Sequence, residues 1–435
     1  MRSPSNKKVA SRVVVALIAI VALGLTGWFG LRASGGNHPL ASVAIPIRTP
    51  EKLPDTPAEW RGRIDYRALD QQLAALAQRP EMAGLAVAVV EDGKLSFVRT
   101  YGVADASTGA PVTAQTLFRW ASVSKTATGV LAATLAKRGA VDLDRPVADW
   151  HTSLRLPGGA ESHVTLADLL SQRTGLTRNA YDDKLEQGQD PRALRASLIT
   201  APLQCEPGTC HTYQNVAFDA ASEILGKAAS EPFSDAVESL LFRPLGMVSA
   251  GYGMKHLTDA RDWAKPHRGR HVLPLKEAYW HVPAAAGVES DIVDFATWMR
   301  AMMGMRPDVL PGAVLQIAHN PRVATARLYG GPLRQAISDA GYGLGWRRFT
   351  YDGHRLEGHS GAVSGYRSTL IFEPATRTGV VALWNSDWGF PFRIPFAAID
   401  SYHNRADAGW LDLSKLPPQK GSAPAPQPST ETPEG

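Results

Sequence analysis

The apolar positions of this chain form strand-like runs near both ends of its central body. Residues 84–90 and 95–101 flank the polar turn 91–94, a pattern that predicts a β-hairpin. Two later runs, 367–372 and 378–384, are joined across a polar turn and predict a second pair of strands. The strands of the predicted sheet therefore come from both ends of the body.

Helical periodicity lies outside and between these strands. Residues 66–78 place leucines on one face, which predicts a helix before the first hairpin, and 392–403 predict a closing helix. The long middle, from residue 122 to about residue 303, is expected to be mostly helical. The predicted fold class is therefore α+β: an antiparallel sheet completed by both termini, flanked by helices, with an inserted helical lobe.

The N-terminal region contains one long apolar segment. Residues 13–31 are 19 uncharged, mostly apolar positions, enough for a helix that spans a bilayer. Four basic residues precede the segment and only Arg32 closely follows it, so the N-terminus is expected in the cytoplasm. We expect an inner-membrane anchor in a Gram-negative-like cell, with the body facing the periplasm. A cleaved signal peptide is the alternative, and it would release the same body into the periplasm.

Composition indicates one folded body between two tails. Hydrophobic residues make up 44% and charged residues 20% of the 435 positions, as in globular proteins. The net charge of +5 includes no Lys/Arg block in the body, so nucleic-acid binding is not expected. The expected segments are a cytoplasmic tail (1–12), the transmembrane or signal segment (13–31), a Pro-rich linker (32–62), one folded domain (63–410) and a disordered Pro-rich tail (411–435).

The first candidate for chemistry is a serine that lies one helical turn before a lysine. Ser122 and Lys125 share a helix face, so the hydroxyl and the amine can meet. An amine desolvated into its neutral form can accept the serine proton and make the alcohol a nucleophile. The spacing alone is weak, because residues 5–8 have it too, and an N-cap serine with a solvated lysine is the alternative.

Two further motifs are candidates for its partners. Tyr213 could relay a proton to a leaving group, and Asn215 could bridge the lysine and a substrate amide. Gly361, two residues after His359, would let a substrate backbone approach closely. The Ala362 N–H could then complete an oxyanion hole with the N–H of the serine. Each short motif also occurs elsewhere in the chain, and a core tyrosine is the alternative for Tyr213.

The order and surroundings of these motifs give them specificity. Ser-x-x-Lys, Tyr-x-Asn and His-x-Gly occur in the order found in the serine β-lactamase and penicillin-binding-protein-like family. The body resembles the class C, esterase and D-aminopeptidase branch of that family over roughly residues 68–400. Further stretches that match the family are 166–176, 243–247, 283–290 and 342–346.

The resemblance implies a β-lactamase-like serine hydrolase domain. Ser122 would be the acylated nucleophile, Lys125 and Tyr213 the proton-handling pair, and Asn215 the residue that positions the lysine and the substrate. The amides of Ser122 and Ala362 would bind the oxyanion, and His359 and Gly361 would contact the substrate. The implied substrate is a small ester, amide or D-amino-acid peptide in the periplasm, with no metal or cofactor. The oligomeric state is left open.

The third motif departs from the family pattern. β-Lactamases and D-Ala-D-Ala peptidases usually carry Lys-Thr-Gly where this chain has His359, and histidine is only partly charged near pH 7. A β-lactamase or D-Ala-D-Ala carboxypeptidase is therefore an alternative to the main prediction of an esterase, amidase or D-amino-acid peptidase. A non-catalytic cell-wall-binding relative is a separate alternative. Any charge role of His359 predicts a pH-dependent activity between about pH 5 and 8. An α/β-hydrolase elbow at residues 358–362, with Ser360 as nucleophile, is disfavoured by the polar segment before it.

Two cysteines complete the candidate residues. Cys205 and Cys210 are five positions apart around a Pro-Gly turn. In an oxidising compartment such a turn can be closed by a disulfide, and two free thiols are the alternative. The sequence contains no Cys/His spacing typical of a metal site.

Overall fold

A computed structural model describes residues 53–54, 57–325, 331–406 and 408–416. The predicted cytoplasmic tail and apolar segment, residues 1–31, lie outside these ranges, as do most of the predicted linker and of the C-terminal tail. Among the described residues, no helix has both the length and the apolar composition that a membrane span requires.

The main element is a nine-stranded antiparallel sheet in the order β3-β2-β1-β14-β13-β12-β11-β10-β9. Its strands are β1 (Gly84–Glu91), β2 (Lys94–Asp105), β3 (Ala110–Pro111), β9 (Val323–Ala324), β10 (Ile337–Tyr342), β11 (Arg347–Tyr351), β12 (His354–Val363), β13 (Tyr366–Glu373) and β14 (Thr378–Trp384). Short strands outside it are β4 (Phe118–Arg119), β5 (Gly251–Tyr252), β6 (His267–Arg268), β7 (His271–Val272) and β8 (Val288–Ser290).

Helices cover both faces of this sheet and form the lobe inserted between β3 and β9. They are α1 (Tyr66–Ala77), α2 (Ser124–Lys137), α3 (Leu166–Leu170), α4 (Asp182–Glu186), α5 (Pro191–Ser197), α6 (Ala220–Ala229), α7 (Phe233–Val237), α8 (Arg243–Leu245), α9 (Met254–Thr258), α10 (Pro283–Ala286), α11 (Ile292–Arg300), α12 (Gly312–His319), α13 (Gly331–Gln335) and α14 (Ile394–Tyr402).

The predicted fold class is confirmed. The hairpin β1–β2 from the start of the body pairs with the late strands, and the register runs from Leu85 opposite Trp384 to Val90 opposite Gly379. The predicted helices at both ends are present as α1 and α14. The middle region is less uniformly helical than expected, because the short strands β4, β5 and β8 form a small sheet beside the lobe.

The burial of β1 shows that the sheet lies between two layers of helices, one on each face. Successive side chains of a strand point to opposite faces, and every residue of β1 is buried. Leu85, Val87 and Val89 belong to an apolar cluster with residues of α1 and α14. The intervening Ala86 and Ala88 belong to the cluster that contains α2 and α11. A strand buried on both faces reads as a continuous apolar run, which is why the sequence predicts it well.

Helix α2 is fixed in place by close contacts between backbones. A Cβ on Gly129 would lie 1.7 Å from the carbonyl oxygen of Leu344. A Cβ on Gly345, whose φ is +72°, would lie 2.1 Å from the carbonyl oxygen of Lys125. Glycine is therefore required on both sides of this contact, which positions the first turn of α2 against the loop between β10 and β11.

Candidate active site

Ser122 lies in a single 3-10 turn, Ala121–Val123, that runs directly into α2. Ala121 has a φ of +49°, a left-handed conformation that is strained for a residue other than glycine. The turn is fixed from two sides: Trp120 N donates to Val288 O at 2.9 Å, and Ser368 Oγ donates to Trp120 O at 2.5 Å. Ser122 is partly exposed although both neighbours are buried, so its hydroxyl is accessible to a substrate.

Lys125 is completely buried one turn further on. Its Nζ donates to Asn215 Oδ1 at 2.6 Å and to the carbonyl oxygen of Ala285 at 3.0 Å. An ammonium has three donors and an amine has two donors and a lone pair. Two N–H groups are therefore committed to fixed acceptors, and the third position of Nζ remains for proton exchange.

Tyr213 lies beside this lysine. The Nζ of Lys125 is 4.7 Å from the centroid of the phenol ring, and the guanidinium carbons of Arg178 and Arg347 are 5.9 and 5.8 Å from the same centroid. One lysine and two arginines therefore lie within 6 Å of the same phenol ring. The structure brings Lys125, Tyr213 and Asn215 together, as the three-motif interpretation requires.

Asn215 is oriented by a residue that the sequence analysis missed. Its Nδ2 donates to Asp182 Oδ2 at 2.7 Å, which directs Oδ1 toward Lys125. Burial raises the pKa of Asp182, and the hydrogen bond from Asn215 and the charge of Lys125 partly offset that effect. The other oxygen, Oδ1, is buried without a hydrogen-bond partner among the described residues. In the sequence, the only feature that marks Asp182 as a candidate is its position shortly after residues 166–176, one of the stretches that match the family.

His359 lies in β12 and is 2% exposed. Its Nδ1 is 2.8 Å from the carbonyl oxygen of Ser360 and therefore carries the proton, so Nε2 accepts from the hydroxyl of Tyr342 at 3.0 Å. Burial, and then the charges of Arg347 and Lys125, lower the pKa of His359 well below its ordinary value. The expectation of a partly charged His359 near pH 7 is wrong, because the neutral ring is buried with both nitrogens satisfied.

Arg347 supplies the permanent positive charge at this side of the site. It lies at the start of β11, opposite Gly358 of β12, and its guanidinium carbon is 5.3 Å from the ring centroid of Tyr342. Within the described ranges, no carboxylate lies within 4.0 Å of Arg347. The stretch 342–346, which matches the family, ends one residue before Arg347, so the motif does not include this arginine.

Gly361 lets β12 approach the serine turn. A Cβ at this position would lie 2.2 Å from the carbonyl oxygen of Trp120 and 3.0 Å from the amide nitrogen of Ser122. Ala362 is the next residue and is exposed. β12 therefore passes close to the backbone of Ser122 at Gly361, the residue directly before Ala362.

Ser360 cannot serve as the nucleophile of an α/β-hydrolase elbow. It lies within β12, paired with Thr369 of β13, and its hydroxyl is 3.4 Å from that of Thr369. An elbow requires a sharp turn from a strand into a helix. That alternative is wrong.

The two cysteines are bonded to each other. Cys205 and Cys210 form a disulfide with an S–S distance of 2.07 Å in the loop that precedes Tyr213. The chain after this loop is fixed by hydrogen bonds from Thr212 N to Gln172 O and from Gln214 N to Gln172 Oε1, at 2.8 and 2.7 Å. The disulfide therefore closes a loop directly beside the candidate site.

Comparison with known proteins gives consistent matches over the folded body. The family model described as Beta-lactamase matches residues 69–401. A hydrolase of Aspergillus violaceofuscus, "Unguisins hydrolase ungD", is 26% identical over 340 residues, which are 71% of this chain and 59% of the fungal protein. "Esterase EstB" of Burkholderia gladioli is 32% identical over 193 residues, 41% of this chain and 49% of the esterase. The chain thus aligns with less than two thirds of the length of either relative.

The fold is also found among solved structures. The octameric penicillin-binding protein homologue from Pyrococcus abyssi superposes with a TM-score of 0.70 at 20% sequence identity, covering 79% of this chain and 78% of that one. At this identity the likeness shows the fold alone.

Proposed function

This chain belongs to the β-lactamase family of serine hydrolases, and we propose that it hydrolyses a small ester, amide or D-amino-acid peptide through an acyl-Ser122 intermediate. The observation that supports this most is the arrangement around Lys125, where a buried amine contacts Asn215 and lies 4.7 Å from the ring centroid of Tyr213, one turn from an accessible serine. Activation of a serine by a general base requires an amine or phenol of this kind close to the hydroxyl.

In the acylation step, Ser122 Oγ attacks the substrate carbonyl and its proton passes to the Lys125–Tyr213 pair. The two groups act together as the proton acceptor, because the amine lies 4.7 Å from the ring centroid of the phenol. The amides of Ser122 and Ala362 stabilise the negative charge on the tetrahedral intermediate. When that intermediate collapses, the same pair returns the proton to the leaving alcohol or amine.

In the deacylation step, a water molecule attacks the acyl-serine carbonyl. The Lys125–Tyr213 pair accepts one water proton and gives it back to Ser122 Oγ as the acid product leaves. Asn215 keeps Nζ of the lysine in place through both steps, because its amide is itself fixed by Asp182.

A second candidate, a carboxypeptidase or β-lactamase, is favoured by one feature. Arg347 and Arg178 lie 5.8 and 5.9 Å from the ring centroid of Tyr213 and would supply the cations that a Lys-Thr-Gly motif provides elsewhere in the family. A substrate with a free carboxylate near its scissile bond would be attracted there, since guanidinium groups pair well with carboxylates. This candidate uses the same acyl-serine chemistry.

A side-by-side substrate screen distinguishes these activities. p-Nitrophenyl esters, D-amino-acid p-nitroanilides, nitrocefin and a D-Ala-D-Ala peptide would be compared with the wild-type protein. Labelling with a fluorophosphonate tests the nucleophile: the label should appear on wild type and on the control Ser360→Ala, and be absent from Ser122→Ala. An unlabelled wild-type protein would favour the non-catalytic, cell-wall-binding alternative.

We also propose that residues 13–31 anchor the enzyme in the inner membrane with its catalytic domain in the periplasm. The apolar segment and its flanking charges support this, and the disulfide is consistent with an oxidising compartment. Fractionation of cells that express the full chain would test it. An anchored protein stays with the membranes and is released by deletion of residues 1–31, whereas a cleaved form appears in the soluble periplasmic fraction.

A further inference from the structure

Two histidines and one glutamate lie close together at the open end of the β12–β13 hairpin, where β12 begins and β13 ends. This end of the hairpin is away from the serine turn. His354 is the first residue of β12, Glu373 is the last residue of β13, and His403 directly follows α14. One possible ligand atom from each of the three residues lies within 4.8 Å of the other two. None of these residues takes part in the proposed reaction.

The carboxylate is the centre of this cluster. Oε1 of Glu373 is 3.0 Å from Nδ1 of His354, and Oε2 is 2.7 Å from Nε2 of His403. The two imidazole rings stack with their centroids 3.8 Å apart.

We propose that His354, Glu373 and His403 bind one zinc ion, with water in the fourth position. Two imidazole nitrogens and one carboxylate oxygen are a donor set that Zn²⁺ commonly takes. Tetrahedral ligands about 2.0–2.2 Å from zinc lie about 3.3 Å from each other, so small side-chain movements suffice. Solvent reaches the site, because the side chains of His354 and His403 are 29% and 17% exposed.

The protons on the two imidazole rings do not prevent metal binding. A neutral imidazole can carry its proton on either ring nitrogen, so the nitrogen that faces Glu373 can present a lone pair to the metal while the other nitrogen keeps the proton. No oxidant or further reactant is required. Thr376 Oγ1, which donates to Oε2 of Glu373 at 2.9 Å, orients the carboxylate from the outside.

Such an ion would connect three elements of the fold. His403 follows the last helix, α14, whereas His354 and Glu373 belong to adjacent strands of the sheet. A metal that binds the folded state and not the unfolded chain stabilises the folded state. We therefore assign the site a structural role, in which zinc joins the end of α14 to the hairpin.

Zinc binding to the untagged full chain tests the proposal. Protein treated with EDTA and then dialysed into chelator-free buffer would be titrated with ZnCl₂ by calorimetry. We expect one ion per chain and a rise in melting temperature of about 2 °C or more. Co²⁺ in place of zinc should give the visible absorption of a tetrahedral site. A wild-type protein that binds no zinc would overturn the proposal.

Single variants locate the ion. His354→Gln and His403→Gln should each weaken zinc binding by about tenfold or more and remove the thermal shift. His163→Gln, which changes an exposed histidine, should bind zinc like wild type. Circular dichroism verifies that each variant is folded, and equal zinc binding by a triad variant and wild type contradicts the assignment. Fluorophosphonate labelling of Ser122 should be unchanged throughout, which separates this result from the test of the proposed function.

Discussion

The side-chain amide of Asn215 donates a 2.7 Å hydrogen bond to the carboxylate of Asp182. Because one end of the amide is thereby fixed as the donor, the other end must present its oxygen to Lys125, where it accepts at 2.6 Å. The position of the buried amine thus depends on an acidic residue that does not contact it directly. Asp182 is a positioning residue in this arrangement.

Replacing Asp182 should therefore reduce turnover through Asn215. In Asp182→Ala the amide of Asn215 is free to rotate, and we expect kcat to fall about 10–100-fold, the equivalent of a lost hydrogen bond to a charged group. KM should change little, and Asp182→Asn should recover part of the rate. Asp183→Ala, at the exposed neighbouring position, serves as the control. Equal kinetics of the two alanine variants would show that Asp182 has no such role.

Lys125 should be indispensable for both chemical steps. We expect Lys125→Ala to lose about three or more orders of magnitude in kcat/KM, since proton transfer to and from Ser122 loses its partner. Lys137→Ala removes an exposed lysine from the other end of the same helix and should behave like wild type. Steady-state kinetics on a p-nitrophenyl ester measures both. A near-normal rate for Lys125→Ala would refute the proton path.

The burial of a histidine beside the site gives a pH prediction. Burial, and then the charges of Arg347 and Arg178, lower the pKa of His211 to about 4. The unfolded chain, with an ordinary value near 6.5, binds the proton first. Stability from this group is complete above about pH 6.5 and is lost as the pH falls toward 4.

Comparison with His211→Gln isolates this effect from other titrating groups. Between about pH 6.5 and 4, the free energy of unfolding of wild type should fall relative to His211→Gln by up to about 1.4 kcal/mol per pH unit. Denaturant titrations at several pH values measure the difference. His163→Gln, at an exposed position, is measured in parallel as the control variant. A wild type that gained stability relative to His211→Gln on acidification would reverse the assigned sign.

The sequence predicts those parts of the structure that are determined by residues close to one another in the chain. β1 and β14 are largely apolar runs because they are buried on both faces, and the Ser122 motif is recognisable within a single helical turn. Strands β10 and β11, near one edge of the sheet, are short and mix buried residues with partly buried or exposed ones, so no long periodic run marks them. Strand pairing determines those elements, and it is not visible from a single segment.

Residues that act through distant partners are missed for the same reason. Asp182 has a role only because it accepts a hydrogen bond from Asn215. Arg347 has one because it lies near Tyr213, which is over a hundred positions earlier in the chain. His359 was recognised from its motif, but its charge depends on burial and on nearby cations, which the motif does not encode. The cluster around Glu373 has no metal-ligand spacing because its members come from three separate elements.

The two candidate substrate classes differ in their dependence on Arg347. For a substrate with a free carboxylate, Arg347→Gln should lower kcat/KM about 10–100-fold, because a charge-assisted hydrogen bond is lost. For a neutral p-nitrophenyl ester the change should stay within about threefold. Arg348→Gln, at the next position of β11, is the matched control. An equal loss on both substrates would indicate a structural rather than a recognition role for Arg347.

The close passage of β12 beside the nucleophile should make Gly361 intolerant of even one methyl group. The added Cβ of Gly361→Ala would lie 2.2 Å from Trp120 O and 3.0 Å from Ser122 N, so the strand or the serine turn must move. Because the amides of Ser122 and Ala362, which we propose as the oxyanion hole, belong to these two segments, we expect kcat to fall about 10²–10³-fold. The control Gly312→Ala adds a methyl group where no heavy atom lies within 4 Å of the new Cβ. Burst-phase kinetics with a p-nitrophenyl ester would show slower acylation for Gly361→Ala and normal acylation for Gly312→Ala. Unaltered acylation in Gly361→Ala would mean that the oxyanion is stabilised elsewhere.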